Sequence, residues 1–334
     1  MMATCNGKGA VMRNPMRSLL LAAGLAFCAA VPAKAQTQNQ PLRLVVPFAP
    51  GGSIDIIARL LAQPLSERLG QTVVVDNRAG AAGLIAAEHV VQSPADGNTL
   101  LLASGGQVTI AAVLATNLSF NPMRDLVPVT HVVNLPYIVV AGPGLPQPGL
   151  REILAVARAT PGGVTYSSSG AGSVTHLAME LLAQVTGTEL LHVPYRGTAP
   201  ATADLIAGRV GMTMTTVASV KAYLDRGEMR ALAAATPQRI PDLPQVPTMA
   251  ELGIQGMEIP VWVGMVARAG TPAPTIRRLD DALRAVLATP DMRARLEPLG
   301  AEVVATGPAA FGQVLVEDEA RWRRVVSTAR ITLQ

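Results

Sequence analysis

Short apolar runs at residues 42–47, 72–75 and 99–103 predict buried strands. Between the first two, Ile56, Ile57, Leu60, Leu61, Leu65 and Leu69 repeat at helical spacing, which predicts a helix with one apolar face. Gly70 suits its C-terminal stop, and Pro64 is expected to kink or divide it. A second helix is expected over residues 83–92. The rhythm resumes after the Pro/Gly-rich stretch 142–149. Helices near 151–159, 173–186, 199–207 and 220–225 alternate with strands at 164–167, 190–194, 210–215 and 230–235. A proline-rich passage follows over 237–260, then a strand at 261–267 and helices over 273–288 and 309–328. Short buried strands alternating with helices indicate an α/β protein built from parallel βαβ units with right-handed crossovers. Two such blocks, with a tail long enough to return to the first, indicate two lobes around a cleft.

The N-terminus has a different pattern. Arg13 and Arg17 precede a short apolar run at 19–27, and Ala33-Lys34-Ala35 is an A-x-A site. Together they read as a signal peptide over 1–35, cut between Ala35 and Gln36, which sends the chain to the periplasm. The run falls short of the roughly 20 residues that a membrane-spanning helix needs. This segment also changes the charge balance. The 334 residues carry a formal net charge of +4, but Lys8, Arg13, Arg17 and Lys34 all lie in it, with no acid. The remaining body has 23 cations against 23 acids. A neutral body argues against nucleic acid or an anionic membrane surface as partner. Cys5 and Cys28 lie in the same segment, so no disulfide, thiol nucleophile or cysteine metal site is expected in the mature chain.

Sequence signatures of catalysis are missing. There is no G-x-S-x-G elbow, no G-x-x-x-x-G-K-[ST] loop and no G-x-G-x-x-G fingerprint. His89, His131, His176 and His192 lack zinc-helix spacing, so neither metal nor cofactor is expected. What stands out is a set of glycine-rich turns at strand ends: Pro50-Gly51-Gly52-Ser53, Ala103-Ser104-Gly105-Gly106 and the stretch from Ser167 to Ser173. Ligands of open α/β sheets bind at the carboxyl ends of strands. Helix N-termini attract anions there, and glycine lets the backbone approach closely. Two such loops, one per lobe, would grip the two ends of a small dianion. Each is equally an ordinary strand-to-helix turn, with Ser53 and Ser173 as N-caps. Asp55 suits the helix dipole by up to about 1 kcal/mol, and equally a hydrogen bond to loop or ligand. His176 is placed to donate to a carboxylate or to pack on its loop. Arg196 reads as a bidentate carboxylate clamp or as a surface ion pair.

A series of motifs then runs in order along nearly the whole mature chain. They are Val46-Pro47-Phe48-Ala49-Pro50-Gly51-Gly52-Ser53-Ile54-Asp55, Val75-Asp76-Asn77-Arg78-Ala79-Gly80-Ala81-Ala82-Gly83, Ala95-Asp96-Gly97-Asn98-Thr99-Leu100, Tyr166-Ser167-Ser168-Ser169-Gly170-Ala171-Gly172-Ser173 with His176, His192-Val193-Pro194-Tyr195-Arg196-Gly197, Val246-Pro247-Thr248-Met249-Ala250-Glu251-Leu252-Gly253 and Ala269-Gly270-Thr271-Pro272. This series resembles the Bug or TctC-like family of periplasmic solute-binding proteins, of the tripartite tricarboxylate transporter class. The resemblance implies a two-lobed Venus-flytrap fold, each lobe a mostly parallel sheet flanked by helices. It implies one lobe over 36–135 plus 261–334 and a second over 136–260, with crossings near 135–137 and 258–262. It further implies carboxylate capture between the lobes, largely by backbone N–H groups. The ligand-binding residues it points to are Phe48, Gly51, Gly52, Ser53, Asp55 and Ser104 on the first lobe. On the second they are Gly170, Gly172, Ser173, His176, Tyr195, Arg196 and Gly197. The ligand would be a di- or tricarboxylate, an acidic amino acid or an aromatic acid. The receptor would act as a monomer and deliver to a permease of one large and one small subunit. Two rival readings are an exported serine hydrolase, using Ser173 or Ser53 with His176, and the input domain of a two-component sensor.

Overall fold

The computed structural model describes residues 1–3, 40–115 and 118–329. The apolar run at 19–27, the cleavage point after Ala35 and both cysteines lie outside the described residues. No helix among the described residues is long and apolar enough to cross a membrane.

The first passes follow the apolar pattern. Strand β1 (Leu42–Val46) buries every residue but Arg43. Helix α1 (Ser53–Leu69) buries Ile57, Leu61 and Leu65 and ends on Gly70 at φ 63°. Helix α1 is not divided at Pro64. Leu60 and Pro64 are only half-buried, so the carbonyl deprived of its N–H partner can reach water. Buried residues on both sides hold the two halves to one core. Then come β2 (Val73–Asn77), α2 (Leu84–Gln92), β3 (Thr99–Ala103), α3 (Thr109–Leu114) and α4 (Pro122–Asp125). Next are two strands absent from the sequence reading, β4 (Leu126–Leu135) and β5 (Tyr137–Ala141). Pro128 disguises β4. It faces Val266 beside a register shift between Met265 and Val266, an irregularity of the kind that lets proline sit in a strand.

The second block is α5 (Leu150–Ala159), β6 (Thr165–Ser168), α6 (Val174–Thr186), β7 (Leu191–Pro194), α7 (Thr198–Ile206), β8 (Met212–Thr216), α8 (Val217–Asp225) and β9 (Arg230–Ala234). The chain closes with β10 (Val261–Arg268), α9 (Ala273–Leu287), α10 (Pro290–Leu296), β11 (Glu302–Thr306) and α11 (Pro308–Ala329).

Two sheets result, ordered β11-β4-β10-β3-β1-β2 and β7-β6-β8-β5-β9. In the first, β1 to β4 run one way and β10 and β11 run against them. In the second only β5 runs against the rest. The lobes share one plan. In each, the strand entered just after the chain changes lobes (β5 or β10) lies antiparallel between its neighbours. Only Pro136 separates β4 from β5, and with no N–H to donate it ends one ladder before the other begins. The carboxyl ends of β1, β3, β6 and β8 all lead into the space between the lobes.

Candidate ligand-binding cleft

Three helices start where the lobes face each other: α1 with N-cap Gly52, α7 with N-cap Gly197 and α8 with N-cap Thr216. None has a side-chain hydrogen bond on its cap. A helix N-terminus carries roughly half a positive charge and N–H groups without intrahelical partners. Gly52, Ser53 and Ile54 from α1, Thr198 from α7 and Thr215 and Thr216 before α8 line one enclosed cavity. Its floor is apolar, from Leu135, Tyr137, Val261 and Val263 at the two lobe crossings. Among the described residues, no lysine or arginine lines it. Positive partial charge there is that of the helix N-termini.

One carboxylate, Asp55, stands in the wall and is fully engaged. It accepts from the Gly51 N–H at 2.9 Å, Arg59 Nε at 3.0 Å and Asn77 Nδ2 at 2.8 Å. Asn77 also donates to the Phe48 carbonyl at 3.1 Å. Burial pushes the Asp55 pKa up, but the bonds from Arg59, Gly51 and Asn77 outweigh it and hold the group below its ordinary value. Asp55 thus folds the Phe48–Ser53 turn onto α1.

The lobes meet across the cavity. The Ser53 N–H donates to Ser219 Oγ on α8 at 3.2 Å, and the Ala49 N–H reaches the Arg196 carbonyl at 3.4 Å. A Cβ added to Gly170 would lie 3.2 Å from Ala82 Cα. In this shut arrangement the cavity is small, about 30 Å³.

Of the candidate residues, Phe48, Gly52, Ser53, Asp55 and Ser104 line the cavity. The second-lobe glycine loop turns the N–H groups of Ser169, Gly170 and Gly172 onto its own side chains. Gly172 donates to His176 Nδ1 at 3.1 Å, Gly170 to Ser168 Oγ at 3.1 Å and Ser169 to Thr175 Oγ1 at 2.8 Å. Ser173 Oγ caps the His176 N–H at 3.3 Å. The loop is braced from within, and its share of the cavity wall is Ser169 and Val174. Tyr195 donates to Asp204 at 2.7 Å, and Arg196 is exposed outside the cavity. Gly51 and Gly197 adjoin the lining residues. The sequence reading missed Thr198, Thr215, Thr216 and Ser219. Thr215-Thr216 ends a strand and opens a helix like the other turns but contains no glycine, the feature used to find them.

Beneath the second-lobe loop, His176 stacks on His192 at 4.1 Å and His192 on Tyr166 at 4.9 Å. Burial lowers both histidines to about 4, helped for His192 by the neighbouring His176. Unfolded, each takes a proton near pH 6.5; folded, both stay neutral well below that. Acid therefore favours unfolding through this window. We expect stability to fall between pH 6.5 and 5 by up to about 1.4 kcal/mol per pH unit for each histidine. Chemical denaturation at stepped pH checks this. His192→Gln should flatten the slope, and an unchanged slope would contradict the assignment.

In the hydrolase reading, Ser173 and His176 do not pair as nucleophile and base. Ser173 Oγ pairs with Thr175 Oγ1 at 2.9 Å, and His176 Nδ1 is taken by the Gly172 N–H. Ser168 Oγ and His192 Nε2 are 2.7 Å apart, but Ser168 is buried and does not line the cavity.

The family model described as "Tripartite tricarboxylate transporter family receptor" matches residues 57–331. The chain belongs to this receptor family. Its relatives include the protein BugT of Bordetella pertussis, 35% identical over 299 residues, covering 89% of this chain and 92% of BugT. Two similar solved structures come from Rhodopseudomonas palustris. Rpa4515, solved with adipate, is 36% identical with a TM-score of 0.84, covering 87% of this chain and 98% of that one. MatC, solved with bound malate, is 31% identical with a TM-score of 0.83, covering 86% and 98%.

Proposed function

We propose that this receptor captures a small dicarboxylate in the periplasm, in the cavity between its lobes, for a permease of one large and one small subunit. The observation that carries the reading is the convergence of three side-chain-uncapped helix N-termini on one cavity with no lysine or arginine in its wall. Such a site satisfies carboxylate oxygens with backbone N–H groups. Adipate and malate, each found with a similar protein, are both dicarboxylates.

One carboxylate takes the first-turn N–H groups of α1, displacing Ser219 Oγ from Ser53. The other lies toward Thr198 and Thr216. Phe48, Gly52 and Ser53 touch the ligand, while Asp55 and Gly51 hold their turn in shape. With the lobes in contact at Ser53–Ser219 and Ala49–Arg196, such a ligand enters only when they part. They do so about the crossings at Pro136 and just before Val261, then close on it as a monomer. No bond is made or broken.

A thermal-shift panel on residues 36–334 tests the reading. It should compare malate, adipate, citrate and glutamate with the neutral diamide of each diacid. At 100 times its Kd, a bound ligand adds about 2.7 kcal/mol to stability. We expect at least one dicarboxylate to do so and its diamide not to. Equal response to acid and diamide, or none to any acid, would contradict the proposal.

A further inference from the structure

A second cavity, of about 560 Å³, lies at the hinge. Its walls come from both lobe crossings, from the 235–242 segment after β9 and from the turn that leads into β11. Leu135 and Val261 line it and also line the cleft cavity, so the two spaces share a partition. Buried Ile240 and Ile259, with Pro136 and Ala301, make much of its surface apolar.

Its charge is one-sided. Asp242, Glu258, Glu297 and Glu302 are its acids and Arg239 its single cation. Arg239 is already spent. Its Nε lies 3.0 and 2.9 Å from the two Glu251 oxygens, and it donates to the Pro244 carbonyl at 2.8 Å. Glu302 accepts only a long bond, 3.3 Å, from Asn134. The cleft attracts anions and this cavity attracts cations. An occupant must cover an apolar surface and carry positive charge.

We propose that the hinge cavity is a second ligand site, for a small amphipathic organic cation such as an arylalkylamine. Both lobes contribute walls, so the cavity changes shape as they rotate. A compound that fits the shut arrangement binds it better than the open one, and therefore favours closure. The site stands apart from the carboxylate reading, because the amine needs no ligand in the cleft.

Calorimetric titration of residues 36–334 with 4-phenylbutylamine and with neutral 4-phenylbutanol, without carboxylate, tests it. The amine should bind with a Kd below about 1 mM and at least five-fold tighter than the alcohol, a modest electrostatic gain suited to exposed acids. Glu258→Gln with Glu302→Gln should bring the amine's affinity at least two-fold closer to the alcohol's and leave the alcohol unchanged. Both residues are exposed, so the fold survives. Saturating amine should lower the radius of gyration in X-ray scattering. Equal affinities for amine and alcohol, no saturable binding of the amine, or amine binding unaltered in the double variant would overturn the site. An unchanged or larger radius would overturn its link to closure.

Discussion

Gly197→Val should hold the lobes apart and abolish high-affinity binding. Gly197 has φ 132°, and a Cβ there would lie 3.2 Å from the Ala49 nitrogen and 3.3 Å from Phe48 Cβ, both on the opposite lobe. Gly170 repeats the arrangement at φ 135°, against the Ala82 backbone. Neither obstacle is a flexible side-chain tip that could swing aside. The strained φ costs about 1–3 kcal/mol in the open form too. The contact across the cleft penalises only the shut form. Affinity for the dicarboxylate that stabilises most should fall at least about 100-fold, or about 2.7 kcal/mol. Gly52→Ala is the contrast. Its φ of −81° is open to any residue, and its Cβ would meet Thr198 Cβ at an ordinary 3.9 Å. Gly52 needs no special backbone freedom, whatever its place in a glycine pair suggests. Affinity within about three-fold of the parent is expected there, since the added contact is an ordinary one. Calorimetric titration of the two variants decides, with scattering to read closure. Unchanged affinity in Gly197→Val would contradict closure across this face.

Asp55→Ala should be the most damaging single change to the first-lobe turn. It strands the Gly51 N–H and the Asn77 amide, which also holds Phe48 in place. Arg59 is half in solvent and can rehydrate, so its share of the loss is small. A loss of roughly 3 kcal/mol is expected from two donors deprived of a buried carboxylate. Because the folded pKa lies below the unfolded value of 3.8, this contribution is whole above that pH and fades as pH falls through the folded pKa. Urea unfolding at pH 7 and pH 3 measures both parts. A variant as stable as the parent at pH 7 would show that Asp55 does not hold the turn.

Much of the fold is legible because its signals are local. Apolar runs predict β1, β3 and β10, and helical spacing predicts α1, since each element buries one contiguous face. Gly70 and Gly187 end their helices in the left-handed conformation that glycine favours. Strands β4 and β5 are hidden by Pro128 and Pro136, which are tolerated at an irregularity and at a crossing. Strand β11 is a half-buried edge with little apolar pattern. The cleft is half legible for a similar reason. The first-lobe turn announces itself through glycines between a strand and a helix. In the second lobe, Gly170 and Gly172 carry the same signal, yet their N–H groups serve Ser168 and His176. Which turns meet across the cleft depends on how two lobes pack, and no local pattern in either lobe encodes that.

The crystal structure of the complex with the dicarboxylate that stabilises most tests the central claim most directly. We predict one carboxylate within hydrogen-bond distance of the Ser53 and Ile54 N–H groups, and the other beside Thr198 or Thr216. The Ser53–Ser219 bond should be broken, with no arginine side chain on the ligand. A ligand held by Arg196, or bound outside the space between the lobes, would contradict it.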